Sequence, residues 1–156
     1  MNCPCGTHIS YEACCELLHK GIASAQSARQ LMRSRYCAFA TKEYQYLMVT
    51  HHVDTRSSLS LSALDGSNRG TTWLGLEIIS ATDLTVDFRA YFRQVTLQNE
   101  RTLHCLHEHS RFVLEENQWY YLDGRQDPDL AVLPSKKAPC FCGSGKKFKN
   151  CHHKLI

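Results

Sequence analysis

From Ser27 to Ala40 the apolar residues Ala28, Leu31, Met32, Tyr36 and Phe39 recur at near-helical spacing. That period predicts an amphipathic helix, with Ser27 placed to cap its start. A shorter helix is predicted over Glu43–Val49, where Tyr44, Leu47 and Met48 supply the apolar stripe. The stretch Ser57–Gly70 carries Asp65-Gly66 and Asn68-Arg69-Gly70, which is loop chemistry with weak helical character at most. Thereafter the period changes to two. Leu84, Val86, Phe88, Ala90 and Phe92 alternate with Thr85, Asp87, Arg89, Tyr91 and Arg93, the mark of a half-buried antiparallel strand. Three more strands are predicted over Trp73–Ala81, Leu103–Leu114 and Gln118–Leu122, with turn residues at Thr82-Asp83, Gln98-Asn99 and Glu116-Asn117. Helices first and an antiparallel meander afterwards make an α+β domain. A bent sheet wrapped on a helix leaves a concave mouth in which a small ligand fits.

The 156 residues suffice for one globular domain with short appendages, and 43% hydrophobic with 21% charged residues argues against a disordered chain. No apolar run approaches the roughly 20 residues that span a bilayer. Met1-Asn2-Cys3-Pro4-Cys5 lacks the basic and apolar segments of a secretory signal, so a soluble cytoplasmic protein is expected. The net charge of +3 hides an asymmetry: from Ala131 onward there are six lysines and no acid. A basic tail on a mildly acidic body points to an anionic partner for the tail.

Nine cysteines and nine histidines change the picture further. Cys3-Pro-Cys5-Gly6 followed by Cys14-Cys15 is matched by Cys140-Phe-Cys142-Gly143 followed by Cys151-His152. Both ends therefore follow C-x-C-x8-C-[C/H], and the aromatics Tyr11 and Phe148 also correspond. Zinc in structural sites takes four sulfur or nitrogen ligands in a tetrahedron. Residues i and i+2 of an extended segment project to one side, so C-x-C presents two thiolates to one ion. Two zinc ions are thus expected. One is held by Cys3, Cys5, Cys14 and Cys15, with His8 as an alternative ligand. The other is held by Cys140, Cys142, Cys151 and His152, with His153 as the alternative. Complete ligand sets leave no open position for water, so these are closed structural sites. Disulfides would need an oxidising compartment, and adjacent Cys14 and Cys15 cannot bridge without strain. Cys37 and Cys105 remain and read as small core hydrophobes.

Candidates for chemistry in the concave mouth are His51, His52, Arg56, Asp87, His104, His107, His109 and Arg111. His107, His109 and Arg111 share one face of a strand, opposite Leu106, Phe112 and Leu114. Histidines at i and i+2 can bind metal or exchange protons, but such a row is more often the polar face of an edge or convex surface. Asp87 with Arg89 reads as an ordinary surface pair. No phosphate-binding glycine loop, nucleophile elbow or zinc-hydrolase motif is present, and no catalytic residue is assigned.

Residues 140–152, Cys-Phe-Cys-Gly-Ser-Gly-Lys-Lys-Phe-Lys-Asn-Cys-His, resemble the SEC-C motif, named for the zinc-binding tail of the export motor SecA. Phe141 stands where proline is commoner. The first copy keeps Cys-Pro-Cys-Gly and Cys-Cys, but Thr7-His8-Ile9-Ser10 replaces the Ser-Gly-Lys-Lys stretch. With Leu31-Met32-Arg33-Ser34-Arg35-Tyr36, Trp73-Leu74-Gly75-Leu76 and Ser110-Arg111-Phe112 between two such ends, the whole chain resembles the YchJ-like bacterial family. The resemblance implies a central domain similar to the nuclear transport factor 2 (cystatin-like) fold over 23–130, flanked by zinc motifs over 1–22 and 131–156. It implies no particular reaction. The likeness to the SecA tail implies an acidic partner for Lys146, Lys147 and Lys149, either the export chaperone SecB or the ribosome surface. An enzyme or small-ligand binder using the concave mouth is the alternative. Direct nucleic-acid binding by the tail lysines and Phe148 ranks third.

Overall fold

The structure is a computed structural model and describes residues 1–155. Helix α1 (Cys15–His19) belongs to the N-terminal tail; α2 (Ala28–Thr41), α3 (Tyr44–Val49) and α4 (Leu61–Asn68) follow. Strands β1 (Thr71–Ala81), β2 (Thr85–Val95), β3 (Arg101–Glu115) and β4 (Gln118–Gln126) form one antiparallel sheet in sequence order, a meander. Ser27 caps α2 as expected, its Oγ accepting from the Gln30 amide at 3.0 Å.

One inner layer of side chains joins α2 to the sheet. Ala28, Leu31, Met32 and Tyr36 pack with Val86, Phe88, Ala90 and Phe112, all buried. Each large apolar side chain withdrawn from water contributes about 1.5–3 kcal/mol, so this layer carries the central domain. Leu84, expected at the head of the inward row, instead lies in the turn before β2 and is 52% exposed.

Helix α4 forms where loop chemistry was expected. Ser60 Oγ caps it by accepting from the Ala63 amide at 3.0 Å, and Leu64 is buried in the core. At its last turn Asn68 donates Nδ2 to the Phe39 carbonyl (3.0 Å) and to the Tyr44 hydroxyl (3.1 Å), and accepts from Trp73 Nε1 at 2.8 Å. Tertiary anchoring outweighs the glycine in the middle of the helix, which is what weak local propensity permits.

The outer face of the sheet is covered rather than polar and solvated. The C-terminal tail lies across it, packing Leu133, Cys140, Phe141 and Phe148 against Leu74 and Leu103. Phe141 stacks flat on Tyr91, and Gly75 of β1 leaves the space for its ring. The N-terminal tail seats on α2, where Arg33 donates to the Cys5 carbonyl (2.6 Å) and His19 Nε2 pairs with the Ser34 carbonyl (2.9 Å). The two tails also meet: a cavity of about 510 Å³ is lined by Cys3, Gly6 and His8 from one and Cys142, Gly143 and Ser144 from the other, with Gly75 between. No helix among the described residues is long and apolar enough to cross a membrane.

Candidate metal centres

The two tails are built alike, bond for bond. In each, the first cysteine amide donates across a tight loop: Cys3 to the Ile9 carbonyl (2.7 Å), Cys140 to the Lys146 carbonyl (2.9 Å). The glycine after the second cysteine has positive φ, +86° at Gly6 and +75° at Gly143, a conformation that a side chain would oppose. A single 3₁₀ turn follows, Tyr11–Ala13 or Phe148–Asn150. It delivers the third cysteine in the same unusual backbone conformation, φ −126° and ψ −108° at Cys14, φ −131° and ψ −114° at Cys151. The internal repeat in the sequence is therefore a repeat of structure.

These loops bring Cys3, Cys5, Cys14 and Cys15 together in one cluster and Cys140, Cys142, Cys151 and His152 in another, the donor atoms of each set lying within 4.8 Å of one another. Zinc–sulfur bonds of about 2.3 Å in a tetrahedron place sulfurs about 3.8 Å apart, and sulfur with imidazole nitrogen about 3.6 Å apart. The observed edges fit. Cys5–Cys14 is 3.6 Å and Cys14–Cys15 is 4.0 Å; Cys142–Cys151 is 3.6 Å, and Cys151 Sγ to His152 Nδ1 is 3.5 Å. Cys140 Sγ lies 3.2 Å from the same nitrogen. His153, the alternative ligand, instead sets its ring edge-on to Phe148, and His8 faces Gly143 of the opposite tail.

The thiols polarise one another. Hydrogen bonding from Cys15 pulls the Cys5 thiol down to about 4, while burial pushes Cys3 up to about 12. Cys15 is raised by hydrogen bonds to the thiolates of Cys37 and Cys5, and Cys37 is lowered by the bond from Cys15. Without a cation the sulfurs thus share protons, Cys3 and Cys15 held as thiols that donate to the thiolates of Cys5 and Cys37; a bound cation would take the place of those protons. Burial lowers His152 from its ordinary value and favours the neutral imidazole that a metal ligand must be.

Cys37 is buried as expected, but beside the thiols of the first cluster rather than among aliphatic neighbours. Its sulfur lies 3.7 Å from that of Cys3, making a fifth thiol beside the first cluster. Its signal in the sequence was a cysteine on the α2 face opposite the sheet-facing stripe, which the count of four ligands per motif conceals. Cys105 is half-buried.

The central candidates scatter. His52 pairs with Glu115 (2.8 Å), Arg56 donates to the Met48 carbonyl (2.9 Å), His104 stacks on Phe92, and Arg111 Nε donates to Asp123 Oδ1 (2.7 Å). Only Asp87, His107 and His109 come together, and Asp87 does not pair with Arg89, which contacts Glu77 at 3.6 Å. His51 alone of these candidates reaches the concave mouth, a cavity of about 340 Å³ between α2 and the sheet. Arg35, Glu108 and Tyr121 also line it, residues that the sequence reading passed over although Glu108 stands on the buried face of β3 between Leu106 and Ser110. The Arg35 guanidinium lies over the Tyr121 ring, 4.6 Å from its centroid, and burial brings it down to about 10.

Comparison with known proteins agrees with this architecture. Residues 27–124 match the profile described as "YchJ, middle NTF2-like domain", and residues 137–154 match the SEC-C motif. A UPF0225 protein of Shewanella sp. (strain MR-4) is 41% identical over 158 residues, covering 96% of this chain and 94% of its own. A UPF0225 protein of Haemophilus influenzae (strain Rd) is also 41% identical, covering 96% and 90%. Two solved structures are similar: a SEC-C motif containing protein from Psychrobacter arcticus (TM-score 0.63, 28% identity, 100% of this chain and 97% of that one) and RPA3114, a SEC-C motif containing protein from Rhodopseudomonas palustris (TM-score 0.69, 32% identity, 80% and 98%). With a nuclear transport factor 2-like middle domain and a SEC-C motif at its C-terminal end, the chain belongs to the UPF0225, YchJ-like family.

Proposed function

We propose that the protein is a cytoplasmic interaction module in which two zinc ions rigidify the tails and the C-terminal motif docks an acidic partner. The observation that supports this reading is the different setting of the two clusters. Lys146, Lys147 and Lys149 are all exposed around the second, and none enters an ion pair among the described residues. Around the first, Glu12 and Glu16 add negative charge, Lys20, the one lysine close in sequence, is already paired with Glu16 at 2.8 Å, and Arg33 is taken up by the Cys5 carbonyl at 2.6 Å. Zinc with three thiolates and a neutral imidazole carries −1, against −2 for four thiolates, so only the second site presents an electropositive rim. The test uses purified SecB and purified ribosomes, the two partners that the likeness to the SecA tail implies. Lys146→Glu with Lys147→Glu should abolish binding while zinc content stays at the wild-type value. Loss on changing Cys3 and Cys5 to Ser, with no effect of the lysine changes, would overturn the assignment.

A second reading rests on the open mouth of the central domain. Had Tyr36, Trp73 and Phe92 filled it, no ligand would fit; instead about 340 Å³ remains, with a largely apolar lining into which Arg35, His51, Glu108, Tyr121 and Gln126 bring polar groups. Such a cavity suits a small, mostly apolar molecule with one or two polar groups, bound or turned over there. Native mass spectrometry of the freshly purified protein checks it: a co-purified molecule supports this reading, and a clean apo mass after growth in varied media counts against it.

A further inference from the structure

On the outer face of the sheet, on strands that supply no cysteine to either cluster, Asp87 of β2 and His107 and His109 of β3 converge. Antiparallel register places Asp87 directly opposite His109, with His107 one step along the same face. His107 is 1% exposed, and its Nδ1 has no hydrogen-bonding partner. Asp87 Oδ1 is likewise buried and without a partner, although His107 Nε2 lies only 2.7 Å away. The two groups are at ion-pair distance when His107 is protonated, yet neither Asp87 Oδ1 nor His107 Nδ1 is satisfied by a hydrogen bond. His109 Nδ1 stands 3.2 Å from the other carboxylate oxygen, Oδ2.

We propose that Asp87, His107 and His109 form a third metal site, for a first-row divalent cation such as Zn²⁺. Bonds of about 2.0–2.1 Å set ligand atoms about 3 Å apart at right angles and about 3.4 Å apart in a tetrahedron; the 3.2 Å between Asp87 Oδ2 and His109 Nδ1 falls in that range, and the 2.7 Å between Asp87 Oδ1 and His107 Nε2 would open slightly around an ion. Two imidazoles and one carboxylate are the donor set of borderline cations, whereas Ca²⁺ and Mg²⁺ take oxygen ligands. The remaining nitrogen of His109, Nε2, is 3.9 Å from Asp127 Oδ2. A carboxylate behind a ligating imidazole fixes its tautomer and orientation. Asp127 is brought there by the linker after β4, which crosses the outer face: its amide donates to the His107 carbonyl (3.0 Å), and Arg89 Nε donates to the Leu130 carbonyl (2.9 Å). At 3.9 Å Asp127 does not hydrogen-bond to His109 here; closing that gap by about 1 Å on metal binding would make it a positioning residue. Unlike the cysteine clusters, this set has only three protein ligands. Asp87 and His109 border a cavity of about 260 Å³ shared with Arg111 and Arg125, so water or a small anion completes the coordination from that side.

The test is metal stoichiometry of the full chain, equilibrated with Zn²⁺ and freed of loose ions by gel filtration. Three ions per chain are expected for the wild type, and two for His109→Ala and for Asp87→Asn. Asp127→Asn should keep the site but weaken it about 10- to 100-fold. Cys142→Ser removes a cysteine-held ion and leaves the third, so failure of the cysteine sites and failure of this one are told apart. Imidazole ¹⁵N resonances of His107 and His109 in the wild type should shift with the third equivalent of Zn²⁺ and not with the first two, a readout independent of how the variants fold. A wild-type protein that holds two ions with unshifted His107 and His109, or folded variants that retain three, would overturn the proposal.

Discussion

The ring of Phe141 lies on the ring of Tyr91 with centroids 4.2 Å apart and planes 4° from parallel. This contact ties the C-terminal motif to the sheet, and it depends on Gly75: a Cβ there would come within 2.8 Å of the Phe141 ring and 3.3 Å of its carbonyl. The departure from the common proline of the motif thus has a structural use. Phe141→Ala should cost about 2 kcal/mol, less than a fully buried phenylalanine because Phe141 is half-buried. Gly75→Ala should cost about 1–3 kcal/mol through overpacking. Hydrogen exchange checks both, with faster exchange expected in residues 133–154 and little change in α2.

Chelation at neutral pH should release metal from both tails and leave the central domain folded, because its core of Leu31, Phe88 and Phe112 contains no proposed ligand. Far-UV circular dichroism should therefore change little. The amide signals of residues 1–20 and 138–154 should collapse towards random-coil positions. Since thiolates must lose their protons to bind, metal uptake should weaken as pH falls below 7.

The Asn68 side chain satisfies three groups at once, the Phe39 carbonyl, the Tyr44 hydroxyl and the Trp73 indole N–H. Asn68→Leu leaves them without partners and should destabilise by about 1–3 kcal/mol. A Tm lower by about 5 °C is expected. Trp73 fluorescence reports the same event at its source.

Burial, aided by the nearby charge of Arg35, holds the His51 imidazole at about 4; Arg56 and His52 lower it further, while its Thr55 contact raises it. In the unfolded chain the same group takes up its proton near 6.5. Between these values the unfolded state binds more protons, so stability rises with pH across the window and falls as pH drops from 6.5 towards 4. His51→Gln should flatten that part of the stability curve, measured by urea unfolding at pH 4.5 and pH 7. An unchanged slope would place the acid sensitivity elsewhere, with the half-buried His19, also lowered by burial, the next group to change.

What was legible in the sequence follows from where order is local. The α2 stripe and the inward row Val86, Phe88, Ala90 announce themselves because each element buries one face at its own period. Both metal clusters are legible because all four donors of each lie within 13 consecutive residues. Helix α4 is not, since its stability lies in what Leu64 and Asn68 touch far along the chain. Nor is the covering of the outer sheet face: His107 looks like a surface histidine until residues 127–131 are laid over it. Cys37 hides for the same reason, its neighbour Cys3 being 34 positions away.

Every thiol of the first cluster, Cys37 included, lies within the first 41 residues together with the helix that backs it. The second cluster rests on Leu74, Tyr91 and Leu103, contributed by three different strands. Synthesis runs from the N-terminus, and segments fold as they become complete. The first ion can therefore be taken up while the sheet is still unmade, and the second tail can seat only on a finished sheet. The two chemically similar clusters thus differ in what they require: the first closes on chain that is local to it, and the second only on a finished sheet.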